Sequence, residues 1–112
     1  MQAMATTRVF TLDVVLEEQR ESREPWLEFL RVASLRTGVY VLPAGSWDSQ
    51  TPHEEDEVYH VLAGRATFQA GDSRWTVGPG AVIFVPARQE HRFTEIVEEL
   101  TVLVFFAVGR RS

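Results

Sequence analysis

A chain of 112 residues can enclose one hydrophobic core of modest size and leaves no room for a second domain. Its 45% hydrophobic and 24% charged residues match a folded globular protein rather than a disordered or fibrous one. A net charge of -5 opposes the phosphate attraction behind nonspecific nucleic-acid binding, so no nucleic-acid partner is expected. With no cysteine there can be no disulfide, thiol nucleophile or thiolate metal site, and any metal must rest on nitrogen and oxygen donors. All 11 basic residues are arginines, which removes Schiff-base chemistry as well.

Residues 1–12 carry one arginine and no apolar run of signal-peptide length. No stretch approaches the roughly 20 apolar residues of a membrane span, so a cytoplasmic protein with no membrane contact is expected. Residues 13–24 are polar and helix-compatible, and Pro25 closes them. They read as a solvated connector, with room for one helical turn, so that 1–25 form an N-terminal strand and connector and 26–112 the main domain. From Trp26 onward short β-like runs alternate with turn chemistry: 26–32, 34–42, 58–62, 66–70, 74–77, 81–85, 91–94 and 100–108. Proline and glycine punctuate them at Pro43-Ala44-Gly45, Gly64, Gly71, Gly78-Pro79-Gly80 and Pro86. So many short strands predict an all-β sandwich or barrel. The last run is apolar on both faces, which predicts a strand buried on both sides or one covering a subunit interface. Trp26, Trp47 and Trp75 are expected in the core or at an interface.

Three histidines are present, His53, His60 and His91. Around the first two, Pro52 and the run Val58-Tyr59-His60-Val61 favour an extended chain, in which Glu57, Tyr59 and Val61 share one face and Val58, His60 and Leu62 the other. His60 is then turned away from His53 and reads as a surface histidine. Glu54, Glu55 and Asp56 read as a solvated charge run, and Arg88 as a surface residue in its proline turn. Arg36 and Tyr40 share a face of their strand, and nothing local says whether that face points inward.

Gly45, His53, Glu57 and Gly64, with seven residues after the first glycine and six before the last, and then Gly80, Pro86 and His91, resemble the two sequence motifs of the cupin superfamily. The likeness spans Gly45 to Glu95, nearly half the chain. It implies a double-stranded β-helix barrel with a divalent metal in its mouth, iron, manganese, nickel or zinc, and a homodimer. Three positions depart from the pattern: Thr51 replaces the first histidine of the first motif, Arg88 the glycine of the second, and Glu95 its asparagine. The remaining metal ligands are His53, Glu57 and His91, a two-histidine, one-carboxylate set with open positions for a substrate. Gln50 is the expected fourth donor in place of Thr51. Tyr59, Phe93 and Glu95, on the same faces as these ligands, are the expected contacts to a small-molecule ligand; Glu95 reads equally as a base or as a partner for an arginine. The resemblance leaves three functions open: a metal-dependent enzyme of dioxygenase or isomerase type, a ligand-binding or sensor barrel, and a metal-free scaffold.

Overall fold

The structure, a computed structural model, describes residues 6–48 and 52–108. It comprises helix α1 (Leu12–Ser22) and six strands: β1 (Trp26–Val32), β2 (Leu35–Leu42), β3 (Glu57–Ala70), β4 (Ser73–Val77), β5 (Val82–Val85) and β6 (His91–Ala107). Every strand pairing is antiparallel, in the order β1-β2-β6-β3-β4, with β5 also on β3. The expected all-β class is what the chain adopts.

Two of the expected turns are not turns. The runs 58–62 and 66–70 are one strand, β3, and the runs 91–94 and 100–108 are one strand, β6. Their pairing slips three times between Val61 and Thr67, and these bulges bend both strands together. Gly64 sits in the bend with φ 93°, and a Cβ there would collide with the Glu99 carbonyl, so the position requires glycine. Side-chain parity reverses across the bend: Glu57, Tyr59 and Val61 face the core before it, and Ala66 and Phe68 after it. The first half of β3 pairs with β5 and the second half of β6, and the other half of β3 pairs with β4 and the first half of β6. One continuous pair of strands therefore serves two sheet layers, with the core enclosed between them.

That core holds Tyr59, Phe68 and Phe93, with ring centroids 5.1 to 5.9 Å apart in edge-on packing, and Val61, Leu100, Val102 and Val104 beside them. Along β6 the residues Leu100, Val102, Val104 and Phe106 are buried, while Thr101, Leu103 and Phe105 on the other face are half-buried. Trp26 packs against the core, but Trp47 and Trp75 are exposed, so neither is a core residue.

The N-terminal region differs from the expected strand and connector. Residues 6–11 form no strand, and 12–22 form a three-turn helix. Its Val15 and Gln19, four residues apart and so on one face, are both buried. Leu, Glu, Gln and Arg supply helix propensity, and tertiary burial of that face supplies what a short helix lacks in water. Arg23 ends the helix in the left-handed conformation, and the Gln19 side chain donates to the Glu24 carbonyl. The Pro25 carbonyl then accepts from the Val41 N–H, which fixes the exit of the helix on β2.

Candidate functional site

Antiparallel pairing sets Arg36, Phe106, Glu57 and Val85 in one row across the inner face of the larger layer, and Gly38, Val104, Tyr59 and Ile83 in the next. His91 opens β6 in the other layer and reaches the end of the first row. Its Nε2 lies 2.9 Å from Glu57 Oε1 and 3.1 Å from the Tyr59 hydroxyl. Its Nδ1 lies 2.7 Å from the Gln89 carbonyl oxygen, which can only accept, so Nδ1 carries the proton and Nε2 is the atom turned to the site. Both side chains of the Glu57–His91 pair are almost fully buried, at 1% and 2% exposure.

Burial acts to lower the His91 pKa. The hydrogen bond to Glu57, the Gln89 carbonyl and the negative charges of Glu57 and Asp48 outweigh it, and the imidazole titrates above its ordinary value. In its imidazolium form Nε2 can donate to Glu57 Oε1 across this 2.9 Å contact. The second carboxylate oxygen, Oε2, is buried without a hydrogen-bond partner. The other partnerless buried side-chain oxygens among the described residues are hydroxyls, on Thr37, Ser46 and Thr94.

His53 reaches the site from the 52–56 segment. Its ring lies edge-on to Phe106 at 4.9 Å and 6.3 Å from the His91 ring. Two hydrogen bonds from backbone N–H groups hold this segment against the proline turn before β6: the Arg88 N–H donates to the His53 carbonyl (2.6 Å), and the Ala87 N–H to the Asp56 side-chain Oδ1 (2.8 Å). Arg88 has φ 65°, a conformation that glycine adopts without strain, yet here an exposed arginine takes it. Among the described residues, no three His, Asp or Glu side chains form a ready-made metal cluster; Glu57 and His91 touch and His53 stands off from them. Gln50 and Thr51 lie outside the described residues.

A cavity of about 260 Å³ opens beside these groups, walled by Trp26, Tyr40, Tyr59 and Phe106 and bordered by Arg36 and His53. Gly38 lets the Trp26 wall lie close to β2, because a Cβ there would strike the Trp26 ring and the Leu27 carbonyl. Tyr59 is among the residues that line the cavity. Phe93 does not line it but packs beneath Tyr59 in the core, ring centroids 5.1 Å apart. Simple alternation puts Glu95 on the face of His91 and Phe93, but its φ of 48° breaks the alternation and turns it outward, where it fits the arginine-partner reading rather than the base. It is exposed, 3.9 Å from Arg74. His60 points to the outer face, in line with Leu103 and Val82.

Two inward residues carry no local sequence signal for their roles. Asp48, in the polar run ahead of Pro52, is buried and accepts from the Phe93 N–H at 2.8 Å and the Tyr40 hydroxyl at 3.2 Å. Burial, then the Asp48 charge, pushes the Tyr40 phenol well above its usual range and keeps it protonated. Arg36 points inward over the Phe106 ring, its guanidinium carbon 4.4 Å from the centroid.

The family profile for the cupin domain matches residues 38–108, more than half of the chain. An uncharacterized protein of Streptomyces coelicolor is 42% identical over 100 residues, 89% of this chain and 95% of the relative. Among solved structures, a DMSP lyase of Ruegeria pomeroyi, DddQ, is 28% identical with a TM-score of 0.65, covering 72% of this chain and 42% of its own. The chain thus spans less than half the length of that lyase. A protein of Thermus thermophilus superposes with a TM-score of 0.70 over 91% of this chain and 98% of its own at 20% identity, which speaks for the fold alone. With the paired motifs, the bent antiparallel layers and the profile match in agreement, the chain belongs to the cupin superfamily.

Proposed function

We propose that this cupin holds a divalent transition metal, iron, manganese, nickel or zinc, on His53, Glu57 and His91 and acts on a small molecule in the adjoining cavity. The observation that carries the reading is Glu57 Oε2, a carboxylate oxygen buried without a hydrogen-bond partner, while its sister Oε1 meets His91 Nε2 at 2.9 Å. A buried carboxylate oxygen left unsatisfied is expensive, and a cation accounts for it. Nitrogen and oxygen donors of this kind suit first-row metals, and Gln50 is the fourth donor in this proposal. Bound there, the metal supplies Lewis acidity toward a ligand oxygen. The chain's own groups do the rest: Tyr59, one of the lining residues, holds its hydroxyl 3.1 Å from His91 Nε2, where it can give or take a proton, and the aromatic walls give a small molecule an apolar seat. The 28% likeness to a lyase supports turnover over simple binding; a binding or sensor barrel is the alternative, since the fold alone does not choose.

Elemental analysis of protein purified without a histidine tag tests the metal. His53→Ala and His91→Ala are each expected to reduce occupancy to a small fraction of the parent, and parental occupancy in both variants overturns the assignment.

The second part of the proposal is a homodimer in the cytoplasm. The outer face of β5, β3 and β6 aligns Phe84, Val58 and Phe105 in one row and Val82, His60 and Leu103 in the next, with Val82 70% and Phe84 63% exposed. A second copy covering this face removes an apolar strip that monomers seldom expose. Among the described residues no helix is long and apolar enough to cross a membrane.

A further inference from the structure

The cavity beside the candidate metal donors is bordered by a guanidinium for which a metal has no use. Arg36 and Glu57 flank Phe106 in one row, two strand spacings or about 10 Å apart. Phe106 carries the Arg36 guanidinium against its ring and the His53 imidazole at its edge. A molecule in the cavity beside Phe106 therefore meets both the Arg36 guanidinium and the His53 imidazole.

The bonds that Arg36 makes are weak ones. Nη1 donates to Glu28 Oε1 at 3.2 Å and Nη2 to Glu55 Oε1 at 3.3 Å, each to one oxygen of a separate carboxylate. The two-pronged pairing that gives arginine its strength toward carboxylates is not made. Glu28 belongs first to Arg31, which it holds at 2.7 Å. Glu55 meets Arg36 from the segment that also carries His53, and its side chain is 27% exposed, within reach of water.

We infer that Arg36 is the anchor for the carboxylate of a small acid with a flat, apolar body, and that Glu55 occupies the anchor in its absence and leaves when the acid binds. The inference rests on reading the cavity as the ligand site. Three observations set the ligand class. The fork already holds a carboxylate, so the group it accepts is shown by its own occupant. Trp26, Tyr40 and Phe106 make the walls apolar and aromatic, suited to a planar body, and about 260 Å³ limits its size. Glu28 and Glu55 already balance Arg31 and Arg36, so an added anion would make this cluster net negative, whereas one that replaces Glu55 leaves the sum unchanged.

Benzoate is the probe, with benzamide as its uncharged analogue, and binding is measured by calorimetry and by the shift of the Trp26 indole N–H resonance in metal-free and zinc-loaded protein. The parent is expected to prefer benzoate by about tenfold or more, as loss of a charge-assisted pair implies. Arg36→Gln should erase that preference, and Glu55→Gln, which removes the competing charge, should tighten benzoate severalfold. Equal binding of benzoate and benzamide, parental benzoate affinity in Arg36→Gln, or weaker binding in Glu55→Gln overturns the inference. If Arg36→Gln fails to fold, the parent's discrimination and the Glu55→Gln response decide it. The metal-free arm keeps the test separate from the metal assignment: His53 and His91 occupancy can fail while the Arg36 readout stands, and the reverse.

Discussion

Replacing Gly64 by alanine tests the bend that brings the two sheet layers together. Two penalties add at this position. The φ of 93° is one that an L side chain adopts only under strain, of about 1–3 kcal/mol. The new Cβ would also overlap the Glu99 carbonyl and Leu100 Cα, which are backbone and cannot rotate aside, and overpacking of this kind costs about 1–3 kcal/mol more. Gly45→Ala separates the two, because Gly45 has φ 75° but no atom within 4 Å of the place its methyl group would take, so it carries the first penalty alone. The expected loss for Gly64→Ala is about 2–6 kcal/mol, a large part of the roughly 5–15 kcal/mol that holds a domain together. At about 4 °C per kcal/mol the melting temperature should fall by roughly 8–24 °C. Urea and thermal unfolding of both variants, followed by far-UV circular dichroism, give the comparison. If Gly64→Ala is no more destabilised than Gly45→Ala, the close approach to Glu99 does not hold the bend and the reasoning fails.

The raised His91 pKa gives opposite pH trends with and without metal. The imidazolium–Glu57 contact stabilises the metal-free protein fully below the unfolded value of about 6.5 and is lost as pH rises through the higher folded value. Metal requires neutral His91, so its affinity should rise over that same interval; urea unfolding and calorimetry from about pH 5 to 9 check both signs, and a flat metal-free profile refutes the pair. Tyr59→Phe removes the hydroxyl beside His91 Nε2 without removing its ring from the core, so a stability loss of about 1 kcal/mol is expected with metal occupancy retained. Phe84→Glu places a charge on the exposed row of β5 and should convert the proposed dimer to a 12.7 kDa monomer by light scattering, with the melting profile of the core preserved.

The sequence made legible what depends on local pattern. β1 falls on its expected run, Glu57, Tyr59 and Val61 face inward as alternation requires, and His91 opens its strand. Gly64 reads as a turn in the sequence because the same positive φ serves a turn and a bulge, and only the partner strand distinguishes them. Glu95 escapes the pattern for a related reason: alternation holds until one residue leaves the extended region, and a non-glycine residue gives no warning of that. The α1 face depends on Val15 and Gln19, a pair too sparse to outweigh the polar residues around it. Arg36 and Asp48 acquire meaning only when β2 lies beside β6 and the Asp48 carboxylate meets the Phe93 N–H, contacts made between residues far apart in the chain.

The bend shared by β3 and β6 also decides where this protein can breathe. Like two covers bound to one spine, the layers cannot part along β3 and β6, because the same strands run through both. β4 and β5 are free margins on the β3 side, as β1 is beside β2: each of the two is paired with β3 alone among the described strands, and a groove of about 600 Å³ lies between them, lined by Trp75, Val82 and Phe84. Local opening therefore belongs to this fore-edge, while the spine that carries Glu57 and His91 stays shut until the whole molecule unfolds. Glu57 and His91 thus sit on the part of the molecule with least freedom, while His53 reaches them from the 52–56 segment outside it.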